Sequence, residues 1–237
     1  MGNFVAIVVT RGGLLLDNQY IIKCDVELAG CSPPGLILDT YFIDYACDMD
    51  IRGNRWLLAY TLEMLMTGVQ DIKIGYSDNF GDTWFGLNVT ANNGVNLQGR
   101  PSIISNGTWA LVAWKEAYAI YTQFYDISSM SPLTTPQIVM INSETMGSLN
   151  CSTNEPDVEI GPDGMFVLVA ECDEAGVTNS FVAVFEGNSW SPLVALYPTS
   201  SVVKLPSIAY DNVSTWMAVY AVTSSPEDDD IFSTRSN

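Results

Sequence analysis

The chain has 237 residues, 48% apolar and 15% charged, with 27 acidic side chains against nine basic ones and no histidine. That composition supports a large buried core rather than disorder, and a net charge of −18 excludes nucleic acid as a partner by repulsion of its phosphates. Without histidine, neither a Ser-His-Asp triad nor a His-based metal centre can form. No apolar run approaches the roughly 18 residues of a membrane span, and Phe4 to Val9 reads as a core strand.

Taken in order, the chain repeats. Five apolar segments open on an aromatic residue or Met: Phe4 to Val8, Trp56 to Tyr60, Trp109 to Ala113, Met165 to Val169 and Trp216 to Tyr220. Their starts lie 52, 53, 56 and 51 residues apart, a period that suits one four-stranded propeller blade per repeat. Such anchor strands are expected to be buried on both faces. Short segments precede four of them: Ala46-Cys47-Asp48, Pro101-Ser102-Ile103, Pro156-Asp157-Val158 and Pro206-Ser207-Ile208. They read as innermost strands, with Pro tolerated at a strand start.

Alternating third strands follow at Tyr20 to Cys24, Ile72 to Tyr76, Ile120 to Phe124, Phe181 to Phe185 and Ile231 to Arg235. Outer strands are expected near Leu36 to Leu38, Val95 to Leu97, Ile138 to Met140 and Leu193 to Ala195. No stretch keeps a helical period, so the chain is all-β. Five anchor and five third strands stand against four inner and four outer ones, whereas a closed propeller needs equal numbers. The expectation is one partial β-propeller domain of antiparallel four-stranded blades over residues 1–237. Its repeats are roughly 1–40, 41–98, 99–150, 151–203 and an incomplete 204–237, about 4.5 blades in all. Missing blades or other chains would complete the ring.

One stretch packs a turn's polar chemistry into eight residues: Ser77-Asp78-Asn79-Phe80-Gly81-Asp82-Thr83-Trp84. Ser and Asn side chains tighten turns through backbone hydrogen bonds, Gly81 accepts a positive φ, and Trp84 supplies an apolar lid. The octapeptide resembles the Asp box, Ser-x-Asp-x-Gly-x-Thr-Trp, of sialidase-like (BNR-repeat) β-propellers, with Asn79 where that family has Asp. The ending Asp230-Ile231-Phe232-Ser233-Thr234-Arg235-Ser236-Asn237 matches Asp71 to Asp78, so Ser236 falls where Ser77 opens the box. The resemblance implies a six-bladed ring, for which about 53 residues per blade would require roughly 80 more; a compact five-bladed ring, with its blade edges completed otherwise, is the second expectation. It also implies a structural staple made by Ser77, Asn79, Gly81, Thr83 and Trp84, on the face opposite the active site.

A catalytic sialidase, by the same resemblance, holds its substrate's carboxylate with three arginines and uses a Tyr-Glu pair and an Asp. Of Arg11, Arg52, Arg55, Arg100 and Arg235, only Arg11 and Arg100 are placed at loops of the active face, and they are the candidate catalytic residues. The family's Phe/Tyr-Arg-Ile-Pro signature is absent; Gly99-Arg100-Pro101-Ser102-Ile103 is a faint echo. Loops of that face carry Glu63, Glu116, Glu171, Asp173, Glu174 and the run Glu227 to Asp230, an acidic rim that disfavours an anionic sugar. A pair of such carboxylates suits hydrolysis of a neutral glycoside. The EF-hand spacing is missing and charge runs usually stay solvated, so no cofactor is expected; Ca²⁺ on Asp228, Asp229 and Asp230, or on Glu171 and Asp173, is the alternative. Trp114, Tyr118 and Tyr121 are aromatics that could stack on sugars.

Five cysteines lack CxxC spacing, and Cys24 with Cys31 or Cys151 with Cys172 are possible disulfides. Sequons stand at Asn88, Asn106, Asn150 and Asn212. Together they favour a secreted or cell-surface glycoprotein. The resulting expectation is a non-catalytic sialidase-like propeller that recognises a glycan or a protein. The alternatives are an exo-sialidase-type glycoside hydrolase with catalytic residues partly outside this sequence, and a structural subunit of an extracellular assembly.

Overall fold

The computed structural model describes residues 4–11, 18–25, 32, 35–38, 43–63, 69–88, 98–140, 149–151, 156–161, 164–174, 177–196, 202–211, 215–225 and 228–236. The chain divides into two compact units, Met1–Gly99 and Arg100–Asn237. All regular structure among the described residues is antiparallel β apart from a single 3₁₀ position at Gly164.

The first unit holds two sheets. Strands β1 (Phe4–Arg11), β2 (Asn18–Asp25) and β3 (Gly35–Leu38) pair in that order, and β4 (Ile43–Arg52), β5 (Arg55–Glu63), β6 (Gln70–Ser77) and β7 (Phe85–Asn88) form a four-stranded meander. Apolar β5 is buried at every position but its two ends. Trp56, Leu58, Tyr60 and Leu62 pack on one face with Cys47, Met49, Phe80 and Trp84.

The octapeptide closes the β6–β7 turn with its own side chains. Ser77 Oγ accepts the Gly81 N–H at 2.9 Å and donates to Asn79 Oδ1 at 2.9 Å. Asn79 Oδ1 also accepts the Thr83 N–H at 2.9 Å and its hydroxyl at 3.2 Å, and the Trp84 indole N–H donates to Gly81 O at 3.1 Å. Phe80 and Gly81 take positive φ, 59° and 76°. Across the sheet end, Phe80 N–H donates to Asn54 O and Asn54 Nδ2 to Asp78 O, so the β4–β5 and β6–β7 turns are tied together. Asn79→Ala removes the shared acceptor and is expected to cost about 1–2 kcal/mol. Calorimetry should show a Tm lower by roughly 2–8 °C.

So tight a turn lets the chain pair again at once, Tyr76 with Phe85. The outer strand of this sheet is therefore β7, ten residues ahead of its expected place; Val95 to Leu97 lie outside the described residues.

The second unit holds three sheets. In the third sheet β8 (Gln98–Ser105), β9 (Trp109–Glu116) and β10 (Ala119–Asp126) are followed by β11 (Ser131–Pro132) and β12 (Gln137–Met140), both on β10. The fourth interrupts its inner and outer strands: β13 (Leu149–Asn150) and β14 (Asp157–Ile160) both pair with β15 (Phe166–Glu174). On the other side of that sheet, β17 (Ser189–Trp190) and β18 (Val194–Ala195) both pair with β16 (Val177–Glu186). The fifth consists of β19 (Val202–Tyr210), β20 (Trp216–Ser225) and β21 (Asp228–Ser236).

Leu111 and Ala113 of β9 meet Phe166, Leu168, Ala170 and Cys172 of β15, with Phe124 and Phe181 in the same cluster. The alternate face of β15, Val167 and Val169, meets Ile208 of β19 and Trp216. Period-two alternation thus buries β15 on both faces.

Cys151 and Cys172 form a disulfide across 21 residues, tying the segment after β13 to β15. The other expected pair, Cys24 with Cys31, lies outside the described side chains. Closing a loop of this size stabilises the fold by about 3 kcal/mol in the chain-entropy account. Cys151→Ala/Cys172→Ala should accordingly lower Tm by roughly 6–12 °C, measured under non-reducing conditions.

Candidate active site

Three short segments repeat with proline at their first position, and the structure links them sheet to sheet. Ser102 Oγ of β8 accepts the Val158 N–H of β14 at 3.3 Å. One repeat on, Asp157 Oδ2 of β14 accepts the Ile208 N–H of β19 at 2.8 Å and the Ser207 hydroxyl at 2.8 Å. The same position thus makes the same bond, once with a hydroxyl and once with a carboxylate.

A second carboxylate reaches β19 from the neighbouring strand. Glu171, 3% exposed, follows Val167 and Val169 on the β19-facing side of β15. Its Oε2 accepts the Leu205 N–H at 2.8 Å. Pairing of β19 with β20 slips between Lys204 and Ser207, and Leu205 adopts a φ of 53° with its side chain 63% exposed. The bulge turns Leu205 out of the ladder and offers its N–H to Glu171, while Asp157 takes the N–H of Ile208, which stays paired with Ala218. Leu205 and Ile208 are three residues apart, so the two bonded N–H groups lie within roughly 10 Å of each other. Glu171 and Asp157 therefore flank one exposed strand segment, the first shielded from solvent and the second partly open to it.

Neither carboxylate is shared by the other repeats. At the place of Glu171 the other anchor strands have Thr10, Leu62, Lys115 and Val222; at the place of Asp157 stand Cys47, Ser102 and Ser207. Ser102 shows that the inter-strand bond does not require a charge.

The other expected site residues are dispersed. Arg11 ends β1 opposite Asn18, with its side chain outside the described set. Arg100 lies within β8, not in a loop, and takes a φ of 55° in the repeat position of Leu205. Lys115 stands near it; burial lowers the lysine's pKa and the Arg100 charge lowers it further. Glu116 is buried on the β9 face opposite Leu111 and Ala113, where it accepts the Trp114 indole N–H at 3.5 Å. Glu116 and Glu171 hence point away from each other. Burial raises the Tyr121 pKa, with the Glu116 charge adding to it.

Trp114 is fully buried and stacked on Tyr121 at 5.9 Å, which removes it as a sugar platform; Tyr118 is exposed. Asp173 accepts the Thr178 hydroxyl at 2.6 Å. Arg52 pairs with Asp50, while Arg55 pairs with Asp78 and lies 5.2 Å from the Tyr76 ring centroid, both at the octapeptide end.

Asp228, Asp229 and Asp230 were expected in a loop but open β21, paired toward Ser225, Thr223 and Val222. The side chains of Asp228 and Asp229 lie outside the described set. Among the described residues no cluster of three metal-ligating side chains occurs. Of the sequons, Asn106 is exposed and its Oδ1 accepts the Thr108 and Trp109 N–H groups. Asn88 and Asn150 lie in β7 and β13 with side chains outside the described set, and Asn212 is outside it altogether.

No family model matches the sequence, and no curated protein matches it. Solved structures do. An α-L-arabinofuranosidase from Fusarium graminearum in complex with an iminosugar inhibitor aligns with 98% of this chain and 71% of its own, at TM-score 0.66 and 10% identity. The endo-arabinase of Bacteroides thetaiotaomicron VPI-5482 aligns over 98% and 89%, at TM-score 0.59 and 12% identity. A GH43_1 enzyme from Xanthomonas citri complexed with xylotriose aligns over 92% and 78%, at TM-score 0.56 and 11% identity. The chain shares their fold.

These neighbours are β-propeller glycoside hydrolases, and five successive antiparallel sheets, one of them a four-stranded meander, agree with a propeller. They are arabinanase-like rather than sialidases, so the sialidase-like assignment finds no support among them. The expected non-catalytic recognition module is corrected by the same finding, because the neighbours carry the names of catalytic hydrolases. The 52-residue spacing and one octapeptide speak to repeated blades, which several enzyme families share; they do not distinguish one chemistry from another. In sequence the Asp157 triplet reads as a plain inner strand. The available signal was the lone carboxylate where the other triplets carry Ser or Cys.

Proposed function

We propose that this chain is a β-propeller glycoside hydrolase acting on neutral pentose-containing glycans, arabinofuranosides foremost, with Asp157 and Glu171 as its two working carboxylates. One observation carries the reading: both acids bond the same short stretch of β19, Glu171 at the bulge and Asp157 at the paired Ser207 and Ile208 just beyond it, at repeat positions where the other sheets manage without a carboxylate. Glycoside hydrolysis is a reaction class that works with two carboxylates and no histidine. Names of the structural neighbours, arabinofuranosidase and endo-arabinase, support the substrate class, and the acidic surface favours a neutral sugar over an anionic one.

In this mechanism Glu171, shielded from water, protonates the departing glycosidic oxygen. Asp157, which accepts the Ser207 hydroxyl and the Ile208 N–H, acts on the anomeric carbon or on the attacking water. Carboxyl groups about 5 Å apart give retention, and about 6.5–9.5 Å apart give inversion. No step requires a cofactor.

A secreted location fits the Cys151–Cys172 disulfide, and no described helix is long and apolar enough to cross a membrane. The deciding assay offers 4-nitrophenyl α-L-arabinofuranoside, linear arabinan and xylan, beside a sialoside. Turnover of a pentoside is expected; turnover of the sialoside alone would replace this reading with the sialidase one.

A further inference from the structure

The anchor position of each repeat offers an internal comparison. Trp56 is completely buried, because Phe80 and Trp84 of the octapeptide lie over it, and its indole N–H donates to Gly53 O at 3.2 Å. Trp109 occupies the same position in the third sheet but is 43% exposed. The corresponding turn there folds differently: Asp126 Oδ1 gathers the Ser128 hydroxyl, the Ser129 N–H and the Ser129 hydroxyl. No aromatic residue of that turn covers the indole.

A groove of about 250 Å³ opens instead, lined by Trp109, Phe124, Leu133, Thr134, Phe185 and Asn188. Its walls are set. Thr134 Oγ1 accepts the Phe124 N–H at 3.2 Å, and Leu133 N–H donates to Phe124 O at 2.8 Å. Phe185 is wedged between Phe124 at 4.6 Å and Trp190 at 5.4 Å. Among the described residues the buried Trp190 indole N–H has no partner, and buried donors are ordinarily satisfied.

We propose that this groove binds one ring of a neutral glycan, stacked on Trp109, as a site separate from the Asp157–Glu171 pair. The inference rests on the hydrolase reading for its ligand class. Three features select that occupant. An exposed indole is a flat apolar platform of the kind sugar rings stack on, and the sibling position is covered by aromatic rings. The volume suits about one sugar ring, below the roughly 300 Å³ at which sites for larger ligands begin. Charge complementarity points the same way: every lining residue is uncharged in a chain of net charge −18. Because β16 runs from Val177 to Glu186, the groove at Gly187 and Asn188 lies at the strand end remote from the β15–β16 turn next to Glu171. Such a site would hold a polysaccharide chain while its terminus is cut elsewhere.

The test titrates arabinotriose and xylotriose into the protein, following tryptophan fluorescence and calorimetric heat. Trp109→Ala is expected to weaken binding at least tenfold and to reduce turnover of arabinan. Cleavage of the small 4-nitrophenyl glycoside should stay unchanged. Trp109→Tyr should retain most of the binding. Leu133→Trp, which fills the groove, should block it while near-UV circular dichroism reports an intact fold. Equal affinity of wild type and both blocking variants would overturn the proposal, as would Trp109-dependent self-association with no sugar binding. Trp109-dependent binding without turnover of any glycoside would uphold the groove and sink the hydrolase reading instead.

Discussion

Asp157→Asn and Glu171→Gln should each reduce pentoside turnover by about 10³-fold or more, as expected when a positioned acid or base is lost, while leaving Tm within a few degrees of wild type. The amide oxygen of Asn or Gln still accepts a backbone N–H, so the bonds from Ile208 and Leu205 to the fourth sheet survive. Only the charge and the transferable proton disappear. Asp157→Ser sharpens the contrast, since Ser102 already makes the equivalent bond to Val158. A variant that is stable but inactive assigns Asp157 to chemistry. One that is active but unstable returns it to strand linkage, and the proposed mechanism falls. Product stereochemistry, followed by NMR on the wild type, then reports whether the pair works at the short or the long separation.

A stability effect as large as that of the disulfide is expected at Gly161. A Cβ there would stand 2.2 Å from Cζ2 of Trp216 and 3.0 Å from Cη2, well inside van der Waals contact. Trp216 cannot retreat freely: it packs with Val167, Val169 and Ile208 and lies 5.0 Å from the Tyr210 ring. Gly161→Ala should therefore cost about 3 kcal/mol, at the upper end of overpacking penalties. Trp216→Leu alone should also destabilise, by loss of buried ring area. The informative result is the pair. If the clash is the cause, Gly161→Ala costs far less in the Trp216→Leu background, giving a coupling energy of about 2 kcal/mol in a double-mutant cycle. Additive losses would mean that Gly161 is needed for its backbone and not for the space it leaves to the indole.

Much of the architecture is legible from residue pattern alone. Five apolar segments about 53 residues apart fall on β1, β5, β9, β15 and β20, and the alternating segments fall on β2, β6, β10, β16 and β21. A strand's burial is written in its own side chains, so β5 could be read without a partner in view. The Ser77 to Trp84 turn is equally local, since its bonds join residues at most four apart within the octapeptide. Composition, likewise, excluded histidine chemistry and phosphate-rich partners before any contact was known.

What needed the tertiary structure is every feature made between repeats. Asp157 meets Ile208 from 51 residues away and Glu171 meets Leu205 from 34, and no local period encodes which acids face the same strand. Glu116 and Glu171 look alike in sequence, both near the end of an anchor strand, yet strand alternation sends them to opposite sides. Trp56 and Trp109 hold one repeat position, and whether the indole is covered depends on how the turn of the third strand folds over it. Sequence by itself determined the strands, their period and the absence of histidine, because these are properties of neighbouring residues. Convergence of the carboxylates, the space at Gly161 and the open groove at Trp109 were decided by packing between sheets, where distance along the chain no longer measures distance in space.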